Sequence, residues 1–321
     1  MDNKQYWTAV ATSEYIKGDK PIGIVVHGIE LVLFRDQNQC VRVLEDRCPH
    51  RRVPLSLGTV CEGRIRCAYH GWSFDGSTGA CVDIPNLDRG ERISPRYRVK
   101  TFQTCERDGF VFVAPSSEKS EPPGVDVENN PPSELNELYG NSCIAMPVTE
   151  YVAALLDGPE TLLRFGGVGV SDFFLGDPVY RGNWLVCDRE ASWDRGSKPP
   201  GIKAISRPLI LRVEIERHKC AAKVWLLNAD EEPLAVVTMG FSSGMRSTTT
   251  LCWRYRQFPA WRHNAPVWLR LFQLLGLSAV DVYTSIPGDG IAGLLKGPSR
   301  HLELHVMDQH KQVESGGELS C

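Results

Sequence analysis

Two short stretches decide how this chain is read: Cys48-Pro49-His50-Arg51 and, after a spacer of sixteen residues counted from His50, Cys67-Ala68-Tyr69-His70-Gly71-Trp72. Together they make the pattern C-x-H-x16-C-x2-H, with one thiol and one imidazole in each segment. Two thiolates and two imidazoles suit a mixed-ligand [2Fe–2S] cluster, with both Cys on one iron and both His on the other. Neutral imidazole in place of two anionic thiolates raises the potential to roughly −150 to +300 mV, against about −400 mV for an all-thiolate cluster. Zinc is the rival, because Cys2His2 is also a common zinc set. Zinc fingers keep the two Cys together and the two His together. Here the types alternate between segments, which favours two loops clasping a cluster.

The rest of the composition narrows the setting. A chain of 321 residues should hold about two domains. With 42% hydrophobic and 23% charged residues it is ordinary for a globular protein, and a formal charge of −3 shows no nucleic-acid footprint. The start, MDNKQYWTAV, has no basic segment followed by an apolar run, so no export signal is expected. No apolar run reaches the roughly 20 residues that span a bilayer. The best attempt, Pro266–Val280, is short and carries Arg270. A soluble, cytoplasmic protein is expected. Cys40, Cys61, Cys81, Cys105, Cys143, Cys187, Cys220, Cys252 and Cys321 are scattered without paired motifs, so they are expected as reduced thiols packed like small apolar residues.

Along the chain, short β-rich runs recur at Gly23–His27, Glu30–Arg35, Val41–Leu44, Arg64–Ala68, Tyr97–Thr101 and Phe110–Ala114, separated by turn residues such as Asp75-Gly76-Ser77. They predict an all-β domain over 1–115, with the two Cys/His segments as loops between strands. Residues 116–134 lie in a stretch with five prolines between Pro115 and Glu134 and read as a linker. Residues 135–321 predict a second domain: a helix around Ala153–Phe165, strands at Ile205–Ile215, Ala221–Leu227, Leu234–Met239 and Ser247–Arg256, a helix over Trp261–Leu277, and a last helix near Arg300–Val313. The fold class is α+β.

From Trp7 to Pro115 the chain resembles the Rieske domain of Rieske-type non-haem iron oxygenases. The matching string runs through Asp46-Arg47-Cys48-Pro49-His50-Arg51, Pro54-Leu55-Ser56-Leu57-Gly58, Ile65-Arg66-Cys67-Ala68-Tyr69-His70-Gly71-Trp72 and Cys81-Val82-Asp83-Ile84-Pro85. It is most similar to the branch with pheophorbide a oxygenase and chlorophyllide a oxygenase. Respiratory-type Rieske proteins add a Cys to each loop; CPHRRV and CAYHGW have none. The resemblance implies cluster ligation by Cys48, His50, Cys67 and His70. It also implies a second, helix-grip domain (an antiparallel sheet holding helices) with one mononuclear Fe(II) on two His and a carboxylate. It further implies electrons from a ferredoxin or flavin reductase, a trimer, and O2-dependent oxidation of a small organic substrate, such as a natural product.

The helix motif for that iron resembles N-x-x-D-x-x-H-x4-H-x-G, and Asp157 to Gly167 aligns with it without a gap. Asp157 takes the place of the aspartate that bridges a neighbouring subunit's cluster to the iron. The two His places hold Glu160 and Phe165, and a phenyl ring has no lone pair. Asp308 best matches the last carboxylate. Carboxylates without imidazole make a weak Fe(II) site, so an absent or severely weakened iron site is expected. The alternative to an oxygenase is therefore a non-catalytic electron-transfer or scaffold subunit, in a homotrimer or a hetero-oligomer with an active homologue. His301, His305 and Asp308 share one face of a helix at spacing i, i+4, i+7 and carry iron-ligand types, but the favoured reading is the polar side of an amphipathic helix. Arg51 and Trp72 either shield the cluster or pack. The aromatic residues Trp253, Tyr255, Phe258, Trp261, Trp268 and Phe272 are expected mainly in the core. His27, His218 and His263 are expected to be structural.

Overall fold

The structure, a computed structural model, describes residues 7–18, 20–88, 91–114, 137–193, 208–216, 220–275 and 278–283. The first ten strands are β1 (Thr8–Thr12), β2 (Ile22–Val26), β3 (Ile29–Arg35), β4 (Val41–Glu45), β5 (Thr59–Cys61), β6 (Arg64–Arg66), β7 (Ser73–Phe74), β8 (Cys81–Asp83), β9 (Thr101–Arg107) and β10 (Phe110–Ala114). They form a six-stranded sheet in the order β1-β10-β9-β4-β3-β2 and a four-stranded sheet β5-β6-β7-β8. Period-two alternation explains how they stack. On β3, Leu31 and Leu33 face a core shared with Val10, Val41, Val43, Val111 and Val113. Val32 and Phe34 face the opposite way, onto Leu55, Ile65 and Phe74 of the small sheet and its loops. Both faces of β3 are therefore buried, and each such Leu or Phe contributes about 1.5–3 kcal/mol.

The second set is β11 (Leu138–Ile144), α1 (Val148–Asp157), β12 (Leu163–Phe165), β13 (Val168–Phe174), β14 (Val179–Arg181), β15 (Trp184–Trp193), β16 (Pro208–Glu216), β17 (Ala221–Asn228), β18 (Pro233–Ser243), β19 (Thr249–Gln257), α2 (Trp261–Asn264), α3 (Val267–Leu274) and β20 (Val280–Val282). Strands β15 to β19 form an antiparallel meander in the order β11-β19-β18-β17-β16-β15-β13, with β14 on β15. Alternate residues Leu209, Leu211, Val213 and Ile215 of β16 join Ala222, Val224 and Leu226 of β17, and all pack with Tyr151, Ala154 and Leu155 of α1. The fold is α+β, as the sequence implied.

The two sets touch through β1 and β10. Trp7, Ala9, Phe110, Phe112 and Ala114 form one cluster with Cys252 of β19. Around it, Thr12 and Asn141 exchange two hydrogen bonds (3.0 and 2.8 Å). The Arg254 guanidinium reaches Glu14 and Glu137, both at 2.8 Å, and the Gly109 carbonyl at 2.9 Å. The proposed linker, 116–134, lies outside the described residues, as does the helix near Arg300–Val313.

Several elements differ from expectation. The helix expected at Ala153–Phe165 is α1, Val148–Asp157. Pro159 removes an N–H and drives Gly158 to φ −156°, ψ 66°, so the helix stops at Asp157. The helix expected over Trp261–Leu277 is two pieces, because Pro266 holds Ala265 at ψ 134°. The strand expected at Tyr97–Thr101 begins only at Thr101, as β9; before it the Tyr97 carbonyl accepts from the Cys81 N–H and the Val99 N–H donates to the Gly79 carbonyl, tying this segment to the small sheet's edge. Strands β11, β13, β14 and β15 were not anticipated. Of the strand expected at Ile205–Ile215, the described part begins at Pro208.

Candidate functional site

The two ligand-type loops share one backbone scheme. The Cys48 N–H donates to the Val53 carbonyl (2.9 Å), and the Arg52 N–H returns to the Cys48 carbonyl (2.9 Å). The Cys67 N–H donates to the Trp72 carbonyl (2.9 Å), and the Gly71 N–H returns to the Cys67 carbonyl (3.1 Å). In both loops the fourth residue after Cys is left-handed: Arg52 at φ 64° and Gly71 at φ 72°. At Gly71 a Cβ would also lie close to Pro85 and the Arg66 guanidinium, so glycine is favoured there on two counts. The first loop is anchored from below by buried Asp46, whose carboxylate accepts from the Ser56 N–H (2.7 Å) and Ser56 Oγ (2.5 Å).

Depth sorts the donors by type. Cys48 and Cys67 are 2% and 4% exposed and belong to the core beneath the loops. His50 and His70 lie at the surface, their ring centroids 4.6 Å apart. Burial, with the adjacent Cys67, pushes the Cys48 thiol up to about 11, against backbone N–H groups of His50 and Arg51 that hydrogen-bond its sulfur and lower it. His50 is held below its ordinary value by partial desolvation and then by the positive character of His70 and Arg51. Trp72 lies flat on His50, at 4.6 Å and 3° between planes, and Tyr97 meets Trp72 edge-on at 4.9 Å. Tyr69 flanks His70 at 3.9 Å. Trp72 thus braces an imidazole, a contact more specific than filler packing.

This donor set fits a cluster with a thiolate side in the core and an imidazole side at the surface. Two buried thiols side by side would be costly as bare thiolates, and ferric iron offsets that cost. Among the described residues, no three or more His, Cys, Asp or Glu side chains converge on one point as a single ion requires. A two-iron group needs only two protein ligands per iron, whereas tetrahedral zinc needs four converging donors. The sorting of thiols into the core and imidazoles at the surface favours the two-iron group over zinc.

The second set of expected site residues is arranged differently. Asp157 is the last residue of α1 and 7% exposed. It stands at the helix's carbonyl end rather than at an N-cap. Glu160 sits in the 3-10 turn Pro159–Thr161, where its Oε2 is buried with no hydrogen-bond partner. Phe165 lies on β12, a strand rather than a helix, pairs with Val280, and is 2% exposed with its ring 6.3 Å from that of Tyr255. Arg164, the residue brought in by a one-place shift, is exposed on the opposite side of β12 and pairs in register with Asp281. Asp308, His301, His305 and His218 lie outside the described residues. The described residues at these positions therefore do not fit a mononuclear iron: one carboxylate oxygen is available, and an aromatic ring fills the second ligand place.

Sequence reasoning missed Arg189. This buried cation, 3% exposed, donates Nη2 to the Leu156 carbonyl (2.9 Å) and to the Asp157 carbonyl, while its guanidinium lies 4.0 Å from the Phe174 ring. It closes the carbonyl end of α1, where a cation is favoured by the helix dipole. Only the inward register of Cys187, Arg189 and Ala191 on β15 could have signalled it, and that strand was not anticipated. Arg189→Ala is expected to lower stability by about 3 kcal/mol, leaving two carbonyls and a cavity unfilled. Urea denaturation followed by circular dichroism measures this, and a loss under about 1 kcal/mol would refute the capping role.

Of the remaining candidates, Tyr255, Phe258 and Trp261 are buried and Trp253 and Trp268 partly so, all as core; the Phe272 side chain lies outside the described residues. His27 bridges Thr8 Oγ1 (3.2 Å) and Ser243 Oγ (3.4 Å), which is structural. His263 is exposed on α2. Among the described residues ten cysteines are free thiols, and no helix is long and apolar enough to cross a membrane.

Residues 6–103 match the family described as the Rieske [2Fe-2S] domain. The N-terminal unit is a Rieske domain. The chain is 38% identical over 112 residues to Protein TIC 55, chloroplastic, of Arabidopsis thaliana, covering 35% of this chain and 21% of that one. It is 36% identical over 138 residues to the 3-chlorobenzoate-3,4-dioxygenase oxygenase subunit of Comamonas testosteroni, covering 42% and 32%. Against chlorophyllide a oxygenase, chloroplastic, of Chlamydomonas reinhardtii it is 34% identical over 112 residues, covering 35% and 17%. Over these stretches the chain is similar to Rieske-type proteins, chlorophyllide a oxygenase among them. The matched stretches span a third or less of those relatives' lengths. The fold extends further: dicamba monooxygenase bound to 3,6-dichlorosalicylic acid superposes with a TM-score of 0.60 at 18% identity, covering 99% of this chain and 92% of that one. NdmB of Pseudomonas putida CBB5 gives 0.58 at 21%, covering 85% and 79%.

Proposed function

We propose that the chain is a Rieske iron–sulfur electron-transfer subunit that takes electrons from a ferredoxin or flavin reductase and serves O2-dependent oxidation of a small organic substrate. The cluster, when bound, supplies reversible one-electron storage. Cys48 and Cys67 would hold one iron from the core, and His50 and His70 would hold the other at the surface. Trp72 and Tyr69 fix the two imidazole planes. In this reading residues 1–115 are the redox domain, 116–134 the linker and 135–321 the helix-grip domain, working in the cytoplasm as a homotrimer or with a homologous oxygenase chain.

The observation that carries the subunit reading is Phe165, a buried core residue on β12 at the place of an iron-ligating His. Asp157 is then an inherited bridge residue beside positions where the family's iron-ligating His are replaced, and Glu160 and Asp308 are at most weak iron contacts. The second reading is a self-sufficient oxygenase; it draws support from the buried oxygen of Glu160 that has no hydrogen-bond partner, in a fold shared with oxygenase structures. Iron and acid-labile sulfide per purified chain separate the two. The expected result is equal iron and sulfide with no high-spin Fe(II)–nitrosyl EPR signal after nitric oxide is added. Iron in excess of sulfide, with that signal, would reverse the assignment.

A further inference from the structure

A cleft of about 670 Å³ opens where the two domains meet. That is the size of a small-molecule site, typically about 300–1,000 Å³. Ile24 and Val25 of β2 and Pro54 give it an apolar wall from the N-terminal domain. The facing wall comes from β11 and from the turn that joins β18 to β19. Tyr15, Leu57 and Met245 also line it and stay 45%, 68% and 51% exposed, so its mouth is apolar too. The charge inside has one sign. Glu30 and Asp46 line the cleft, and none of the described residues lining it is Lys, Arg or His. Glu30 is neutralised by Arg47 at 3.0 Å. Asp46 is 7% exposed and forms no ion pair among the described residues. Its carboxylate accepts from the Ser56 N–H and Ser56 Oγ. An ionised carboxylate has about four acceptor positions, so about two stay open. Gly23 of β2 leaves them uncovered: it also lines the cleft, and a Cβ there would lie 3.1 Å from Asp46 Oδ2. On the facing wall, Ser142 Oγ is buried with no hydrogen-bond partner.

We infer that this cleft binds a small organic cation, an amine or guanidine carried on a compact apolar body. A buried carboxylate without a counter-ion is costly, and a cation that hydrogen-bonds to it removes the cost. The ligand's N–H groups donate to the open positions of Asp46, and such charge-assisted bonds are about twice as strong as neutral ones. The apolar body lies against Ile24, Val25 and Met245, and Ser142 Oγ serves a further polar group. A neutral molecule of the same shape keeps the apolar contact but loses the charge pairing, and an anion is repelled by Asp46. None of Cys48, His50, Cys67 and His70 lines the cleft, so the ligand and a cluster do not compete for side chains. The ligand does meet the carboxylate that anchors the first cluster loop, because Asp46 holds Ser56 there.

The test uses the full chain as purified and three probes of one shape: 4-phenylbutylamine, 4-phenylbutanol and 4-phenylbutyrate. Calorimetric titration is expected to give the amine a Kd of about 1 mM or tighter. The alcohol should bind at least about tenfold more weakly, and the carboxylate not measurably. Cys143→Trp sets an indole into the cleft from β11, where Cys143 is exposed and lines it. This variant is expected to lose amine binding while its circular dichroism and its iron and sulfide content stay unchanged. Asp46→Asn keeps an acceptor for Ser56 and removes the charge, so amine affinity should fall to that of the alcohol. Equal binding of amine and alcohol by the unaltered chain overturns the inference, as does absence of amine binding at millimolar concentrations. Full amine affinity in Cys143→Trp overturns it too, because the amine then binds elsewhere. If either variant fails to fold, the three-probe comparison still decides, since it is read on the unaltered chain.

Discussion

Cys67→Ser is expected to empty the cluster site: iron and sulfide per chain fall to near zero, and the visible absorption and reduced-state EPR signal disappear. The reason is chemical rather than steric, since Ser is close to Cys in size. A hydroxyl is far harder to deprotonate than a thiol, and an alkoxide is a poor match for a site built on soft thiolate ligation. The site also offers no replacement, because the other buried thiol of the small core, Cys81, is turned to the Asp83 carbonyl at 3.6 Å. Loss of one thiolate leaves the inner iron a single protein ligand in a core where Cys48 is already 2% exposed. The loops lose their tie as well, and stability should fall by several kcal/mol, as for removal of a structural metal centre. Trp72→Ala offers the contrast. It removes the plate stacked on His50 but no ligand, so the cluster should be retained. Iron and sulfide analysis of the two variants distinguishes them, and a Cys67→Ser protein with full iron and sulfide would overturn the ligand assignment.

What the sequence made legible follows the reach of the interactions involved. The cluster loops could be read because their chemistry is local: ligand types, their spacing, and turn residues such as Gly71 sit within a few positions of one another. The same is true of β2, β3, β4 and β10, whose β-rich runs between turn residues are visible in the chain itself. The division of Leu31 and Leu33 from Val32 and Phe34 between two cores was not legible, since it depends on which sheet covers each face. Arg189 lay beyond local pattern for the same reason. Its role exists only once β15 is laid beside the end of α1, some thirty residues earlier in the chain. The misplaced helix had a local cause that was present in the sequence: Gly158-Pro159 is a stop signal, and it interrupts the helix-like composition of Ala153–Phe165. That misplacement alters the chemistry, because it moves Phe165 from a helix face to a strand.

The second large effect concerns that strand. Glu160→His with Phe165→His restores both imidazoles of the aligned motif, and two opposing consequences are expected. Without metal the variant should be less stable by about 3 kcal/mol: Phe165 is 2% exposed and packs towards Tyr255, and an imidazole there loses ring contacts and buries nitrogens that need partners. With Fe(II) the balance should reverse in part, because a ligand bound only by the folded state stabilises it by RT ln(1 + [L]/Kd), or about 2.7 kcal/mol at a hundredfold excess over Kd. The readouts are Tm with and without Fe(II), and the high-spin Fe(II)–nitrosyl EPR signal that the unaltered chain is expected to lack. A gain in Tm together with that signal would support a former iron site closed by Phe165. If Fe(II) leaves Tm unchanged and no signal appears, then Glu160 and Phe165 do not stand at the iron-facing positions, and the alignment from Asp157 to Gly167 is wrong. The outcome turns on β12 itself. A strand paired residue by residue with Val280–Val282 presents Phe165 inward and Arg164 outward, so imidazole at 165 enters the core and cannot reach solvent as an alternative.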